Sequence, residues 1–240
     1  KPIPGSDNSL RIVSPAKAIG GRVQISRGEI RYAHHKQDID EKKQDSGAQA
    51  APLGPSILLF HKPRHSAGVE SVRRAAELDC PTINVAATMH CQLDKQRRVL
   101  RYGVVKRRRF VPLDPFRLDK FPRTLQNTFR EAADYGLHVS VVAHLNSWGE
   151  TNDWRNFFQF DPTQTLEGYS YEQAVIEPIV SALVESRVPL SETELSLCGE
   201  MGHSVFSHAD SYREMIQHLR GKATTRQLQL GVSLNFTKVE

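Results

Sequence analysis

Five short apolar runs, each ending beside a polar side chain, constrain this chain more than any other feature. They lie at 56–60, 81–88, 137–143, 195–198 and 228–234. Stretches with helical spacing separate them. Residues 67–78 set Val69, Val72 and Ala76 on one face, and 122–135 set Leu125, Phe129, Ala132 and Ala133 before a stop at Gly136. A third helix is expected from about 171 to 187, kinked or broken at Pro178. A fourth, 209–220, turns Tyr212, Met215, Ile216 and Leu219 inward. Strand, helix, strand at this spacing predicts right-handed βαβ units and a parallel sheet. Runs as apolar as these are expected to be buried on both faces.

The long connections, 91–121 and 145–169, follow the second and third strands, while the helix-to-strand turns are short. A (β/α)8 TIM barrel distributes its loops in this way. No GxGxxG or P-loop follows any strand, which argues against a doubly wound nucleotide-binding sheet. Five strands are countable rather than eight, so the expectation is an incomplete barrel over 56–240. Residues 1–55 precede it as an N-terminal β-hairpin and linker packed on the barrel. The hairpin is drawn from 10–13 and 22–26 around Gly20-Gly21, and the linker from the charged, then Gly-, Ala- and Pro-rich stretch 36–55.

The 240 residues suffice for one large α/β domain, and 39% hydrophobic with 25% charged residues is a globular balance. No run of about 18 apolar residues offers a membrane span. Part of the net charge of +5 lies in Lys106-Arg107-Arg108-Arg109, with Arg97, Arg98 and Arg101 upstream. No nucleic-acid motif accompanies this patch, so it reads as a solvated loop and no nucleic-acid partner is expected. Cys80, Cys91 and Cys198 have neither a CxxC nor a zinc spacing and read as buried thiols. The chain opens on Lys1 rather than methionine, compatible with a removed leader, and a secreted or periplasmic location is expected.

The polar strand ends carry the chemistry: His61, His90, the stretch His144-Leu145-Asn146, Glu200 and Asn235. Glu200 follows the apolar run at 195–198 and the small Gly199. A carboxylate there can face the mouth of a barrel, although a glutamate after a strand can equally cap the next helix or pair with an arginine. His90 and His144 are weak signals singly, since strand-end imidazoles are often hydrogen-bonded core groups. The loop after the third strand holds both tryptophans of the chain, Trp148 and Trp154, with Asn146, Arg155 and Asn156. Aromatic faces stack on sugar rings, and amide and guanidinium groups bind hydroxyls. The loop therefore suits a carbohydrate cleft, the plainer alternative being that the indoles pack it onto the rim with Phe157 and Phe158.

From about residue 56 onward the chain resembles the clan A glycoside hydrolases, in particular their β-mannanase-like branch. The likeness is carried by Ala86-Ala-Thr-Met-His-Cys91, Val142-Ala-His-Leu145, Trp154-Arg-Asn156 and Leu197-Cys-Gly-Glu-Met201. It implies a (β/α)8 barrel in which Glu200 is the acid/base at the end of the fourth strand. His90, His144, Asn146, Trp148, Trp154, Arg155, Asn156 and Asn235 would then contact a carbohydrate substrate. Gly199 stands where that clan usually has an asparagine, and no counterpart of its second glutamate is found before the chain stops. The implied reaction is hydrolysis of a β-linked polysaccharide or oligosaccharide with retention, and no cofactor or metal is implied. Two alternatives stay open: a carbohydrate-binding barrel without catalysis, and a metal-dependent barrel hydrolase using His61, His90, His144 and Glu200.

Overall fold

The computed structural model describes residues 22–26, 29–33, 54–60, 65–149 and 154–234. The chain divides into two units, Lys1–Ala50 and Ala51–Glu240. In the first, β1 (Arg22–Ser26) and β2 (Glu29–Ala33) pair antiparallel, with Ser26 opposite Glu29 and Arg22 opposite Ala33. The segment at 10–13 expected to pair with β1 lies outside the described residues, and 29–33 takes that place.

The second unit is built on a seven-stranded mixed sheet. Its parallel strands are β3 (Ser56–Phe60), β4 (Thr82–Leu93), β7 (His138–Ser147), β8 (Glu194–Gly199) and β9 (Gln229–Ser233). Each pairs with the next one in chain order. A doubly wound sheet would reverse that order at a switch point, and none occurs here. The sheet is open: β9 ends the pairing path and is not joined to β3. The closed eight-stranded barrel expected from the sequence is therefore not what the described residues form.

Helix α1 (His65–Glu77) joins β3 to β4, and α2 (Pro115–Asp134) leads into β7. A π-turn at Glu172–Ile176 runs straight into α3 (Glu177–Ser186). The lone Pro178 sits at the start of α3, and the widened turn before it takes the place of the expected kink. The short α4 (Gly202–Ser207) and α5 (Ala209–Gly221) join β8 to β9.

Register separates the two faces of the sheet. Ile57 and Leu59 of β3 align with Val85 and Ala87 of β4, which align with Val141 and Ala143 of β7. The helices lie on this face: a side chain at Gly68 of α1 would strike both Leu59 and Thr128 of α2. Val72 and Ala75 of α1, Leu125, Phe129 and Ala132 of α2, and Ile179 and Leu183 of α3 complete a dry core with these strands. Each large side chain so buried contributes about 1.5–3 kcal/mol. The opposite face carries Asn84, Ala86, Thr88 and His90 against Ser140, Val142, His144 and Asn146. Of these only Thr88 is buried, and the neighbouring Leu58 is exposed. The expected burial on both faces thus holds for one face, because among the described residues the sheet is open and no strand lies across from the other.

The region 91–121 corrects the sequence reading, which made it a loop. β4 continues to Leu93, β5 (Val99–Lys106) returns beside its far end, and β6 (Arg109–Pro112) completes a hairpin. Helix α2 then starts seven residues earlier than expected, at Pro115, with Asp114 capping it through the Arg117 N–H. Pro122 lies inside the helix and forfeits one backbone bond there. At the other end the Leu137 and Gly136 N–H groups donate to Ala132 and Ala133, with Gly136 at φ +68° closing the helix.

Candidate active site at the ends of the parallel strands

The sheet brings residues far apart in sequence to one rim. His90 lies opposite Asn146, and Thr88 lies opposite His144, in the β4–β7 register. Thr88 Oγ1 lies 3.3 Å from the Ala86 carbonyl and 3.3 Å from His144 Nδ1. The hydroxyl is equally far from both partners, so which atom donates across the Thr88–His144 contact follows the imidazole tautomer. Burial lowers the His144 pKa, and the nearby Arg155 cation adds to the effect against a smaller opposing pull from Glu200, bringing it down to about 4. His144 is therefore neutral around neutral pH.

Beyond Asn146 the chain passes Trp148, whose backbone N–H donates to the Cys91 carbonyl (2.8 Å) and whose ring meets His90 edge-on at 6.3 Å. Residues 150–153 lie outside the described residues. The chain returns at Trp154 and makes one tight turn, Arg155–Phe157. Asn156, Phe158 and Phe160 are buried and anchor this return. Asn156 Oδ1 accepts from the Gly202 N–H (2.8 Å) at the start of α4. Trp154 packs edge-on against Phe157 at 5.4 Å, and Arg97 covers the Phe157 ring at 5.0 Å.

The anchored return presents Arg155 between two strand ends. Its Nε donates to the Leu145 carbonyl (3.1 Å), Nη2 to Asn146 Oδ1 (2.8 Å) and Nη1 to Glu200 Oε2 (2.7 Å). One planar guanidinium thus ties the end of β7 to the residue after β8, a role a lysine could not fill. The Arg155 and Glu200 side chains keep 24% and 36% of their surface exposed, so the pair itself is worth at most about 1 kcal/mol. What it supplies is position.

Two features of the backbone set Glu200 in place. A Cβ at Gly199 would come within 2.5 Å of Val142 Cγ1 and 3.0 Å of His144 Cδ2. No larger residue fits without displacing β7, which accounts for glycine at this position. Glu200 itself takes φ +60°, a left-handed conformation that costs a non-glycine residue about 1–2 kcal/mol. Its N–H donates to Ser233 O of β9 (2.9 Å), and the next residue, Met201, is wholly buried. Strained residues held by a stiff surround cluster at functional sites.

The structure therefore brings His90, His144, Asn146, Trp148, Arg155 and Glu200 to one rim. Trp154 stands beside Arg155 in the chain, and Asn156 is buried beneath it. His61 and Asn235 lie outside the described residues. Thr88, the partner of His144, and the fit at Gly199 carry no sequence signal of their own, because each depends on a contact across strands. Among the described residues no three of His, Cys, Asp and Glu are grouped to hold a metal ion. All three cysteines are buried and free, and no described helix is long and apolar enough to cross a membrane.

No family model matches the chain, and no curated protein does. Three solved structures with a distantly similar path of chain are β-mannanases. Two are structures of GH113 β-1,4-mannanase, one of them a complex, each 12% identical at a TM-score of 0.41. A third is the GH113 β-mannanase AaManA from Alicyclobacillus acidocaldarius in complex with ManMIm, 14% identical at 0.38. The matches cover 70%, 71% and 74% of this chain and 51%, 52% and 51% of those chains. The chain thus spans about half the length of the structures it matches. A likeness this distant leaves the site to be argued from its own geometry.

Proposed function

We propose that this chain forms part of a (β/α)8-type glycoside hydrolase that cleaves a β-linked polysaccharide, mannan being the first candidate, with retention. The observation that carries this reading is Glu200: a strand-end carboxylate in a strained backbone, fixed by Arg155 beside the neutral His144. In the reaction Glu200, protonated on Oε1 while Oε2 accepts from Arg155, gives that proton to the glycosidic oxygen as the bond to the anomeric carbon breaks and a second carboxylate bonds to that carbon; it later takes a proton from the water that displaces this carboxylate. His90, Asn146, Trp148 and Trp154 are assigned to the sugar, and Arg155 to holding Glu200 and Asn146. The neutral His144 is assigned to a hydrogen bond with a sugar hydroxyl. Retention needs a second carboxylate about 5 Å from Glu200; Glu150 and Asp153, on the tryptophan loop, lie outside the described residues. A polysaccharide substrate agrees with the secreted or periplasmic location proposed for the protein.

The Arg155–Glu200 pair also favours a second reading, a barrel that binds carbohydrate without cleaving it, since the carboxylate has a partner of its own. Incubating the protein with β-mannan, xylan and β-glucan and counting new reducing ends separates the two. Release from mannan above the other substrates supports hydrolysis. Calorimetric binding of mannohexaose with no product from any of the three supports the binding barrel, and neither binding nor product removes both.

A further inference from the structure

The tip of the β5–β6 hairpin is not used by the site above, and its backbone is unusual. Lys106 pairs with Arg109, so the turn between them consists of Arg107 and Arg108 alone. Both take positive φ, +50° and +58°. Two-residue turns of this kind favour Asn-Gly, because glycine and asparagine tolerate the left-handed region. Two arginines side chain by side chain in that region are strained twice over, and the shape of the turn does not require them.

Their electrostatics differ from those of the cations nearby. Arg98 is paired with Asp94, Arg101 with Glu167 and Arg117 with Asp114. Lys106, Arg107, Arg108 and Arg109 have no carboxylate partner among the described residues, and all four are exposed. Four adjacent uncompensated cations on a rigid two-stranded support raise the local positive potential and attract polyanions. The support is well fixed: a Cβ at Gly103 would fall 2.5 Å from both the Phe110 ring and the Val111 carbonyl, so β6 lies tightly on β5.

We propose that this tip is a binding site for an anionic glycan, a polysaccharide bearing carboxylate or sulfate groups. While a duplex, which is held through its phosphates, is set against the glycans in the test below, the tip offers no free aromatic face on which the bases of a single strand could stack. Its one ring, Phe110, is half-buried over Gly103 and beneath the Arg101 guanidinium at 5.9 Å. The hairpin also extends from β4, the strand that carries His90 and accepts the Trp148 N–H. The choice of a glycan rests, for that last reason, on the carbohydrate reading of the neighbouring rim; the anion site itself does not.

The test is binding without turnover. Fluorescently labelled oligogalacturonate, a heparin hexasaccharide, mannohexaose and a DNA duplex are titrated into the full chain at several salt concentrations. The competing variant is Arg107→Asn/Arg108→Gly, which suits the turn and so keeps the hairpin while removing two charges. The wild type is expected to bind at least one of the two anionic glycans, more weakly as salt rises. The variant is expected to lose about tenfold or more in affinity and to show a shallower salt slope, at an unchanged or higher Tm. Carboxylate and sulfate recognition are told apart by which of the two glycans binds more tightly. Equal affinity of variant and wild type, no binding of either anionic glycan, or tighter binding of the duplex would each overturn the proposal. Mannohexaose binding and mannan turnover are measured in parallel. Their loss with anion binding intact removes the rim reading and leaves the anion site standing.

Discussion

The two faces of the parallel sheet differ in almost every respect, although they share the same strands. Beneath the helices, Ile83, Val85, Ala87 and Met89 of β4 meet Val139, Val141, Ala143 and Leu145 of β7, all with 2% or less of their surface exposed. One residue along, on the other face, stand Asn84, Thr88 and His90, opposite Ser140, His144 and Asn146. The first face holds the fold together and has no polar group to offer. The second is half-open and carries the polar groups to which the proposed function assigns chemistry. A period of two along each strand is enough to keep the apolar core and the polar rim apart, and substitutions on the two faces should behave accordingly.

The largest stability effect is expected under the helices. Phe129→Ala removes a wholly buried ring and should cost about 3–5 kcal/mol in denaturant unfolding. A loss under about 1 kcal/mol would mean that the helices do not pack as described. Next comes Gly199→Ala, on the open face. Its new methyl would meet Val142 and His144, costing about 1–3 kcal/mol, and Val142→Ala in the same chain should recover part of that loss. Lack of any recovery would place the strain elsewhere.

A pH effect should follow from His144. Its imidazole titrates near 6.5 when unfolded and near 4 when folded. Between those values the unfolded state holds more protons, so stability rises with pH and is lost as pH falls from about 6.5 to about 4. His144→Gln should flatten that loss relative to wild type in urea titrations run across the window; an unchanged profile would show that the imidazole is not buried uncharged. The smallest effect is expected at Arg101→Ala, on the hairpin. Its pair with Glu167 is a surface contact worth about 0.2–1 kcal/mol, largely screened by salt. A greater cost that persists in high salt would show that its contact with Phe110 matters more than its charge.

The covered face was legible in the sequence, because apolar runs and helical spacing record burial directly. The runs at 56–60, 137–143 and 195–198 fall on β3, β7 and β8, and Leu125, Phe129 and Ala132 are the buried stripe of α2. The β5–β6 hairpin was hidden for two reasons. Its cations outnumber its apolar residues at the tip, and the Arg107-Arg108 turn lacks the glycine or asparagine that marks such turns. The start of α2 is marked by Asp114-Pro115, whereas the apolar spacing that predicts the helix begins only at Leu125 and leaves its first two turns in the loop. Glu200 and the tryptophan loop stood out by residue type. That Arg155 reaches Glu200, 45 positions away, and that β8 approaches β7 too closely for any side chain at 199, are properties of packing that no spacing encodes.

Glu200→Gln bears most directly on the division between the faces. The substitution keeps the size of the side chain and a hydrogen-bonding oxygen toward Arg155, so stability should change by no more than about 1 kcal/mol. With mannan as substrate, kcat should fall by about 10²–10⁴-fold, while mannohexaose binding, followed by calorimetry, stays within a few-fold of wild type. A variant that turns over mannan at the wild-type rate would contradict the assignment of Glu200 as the acid.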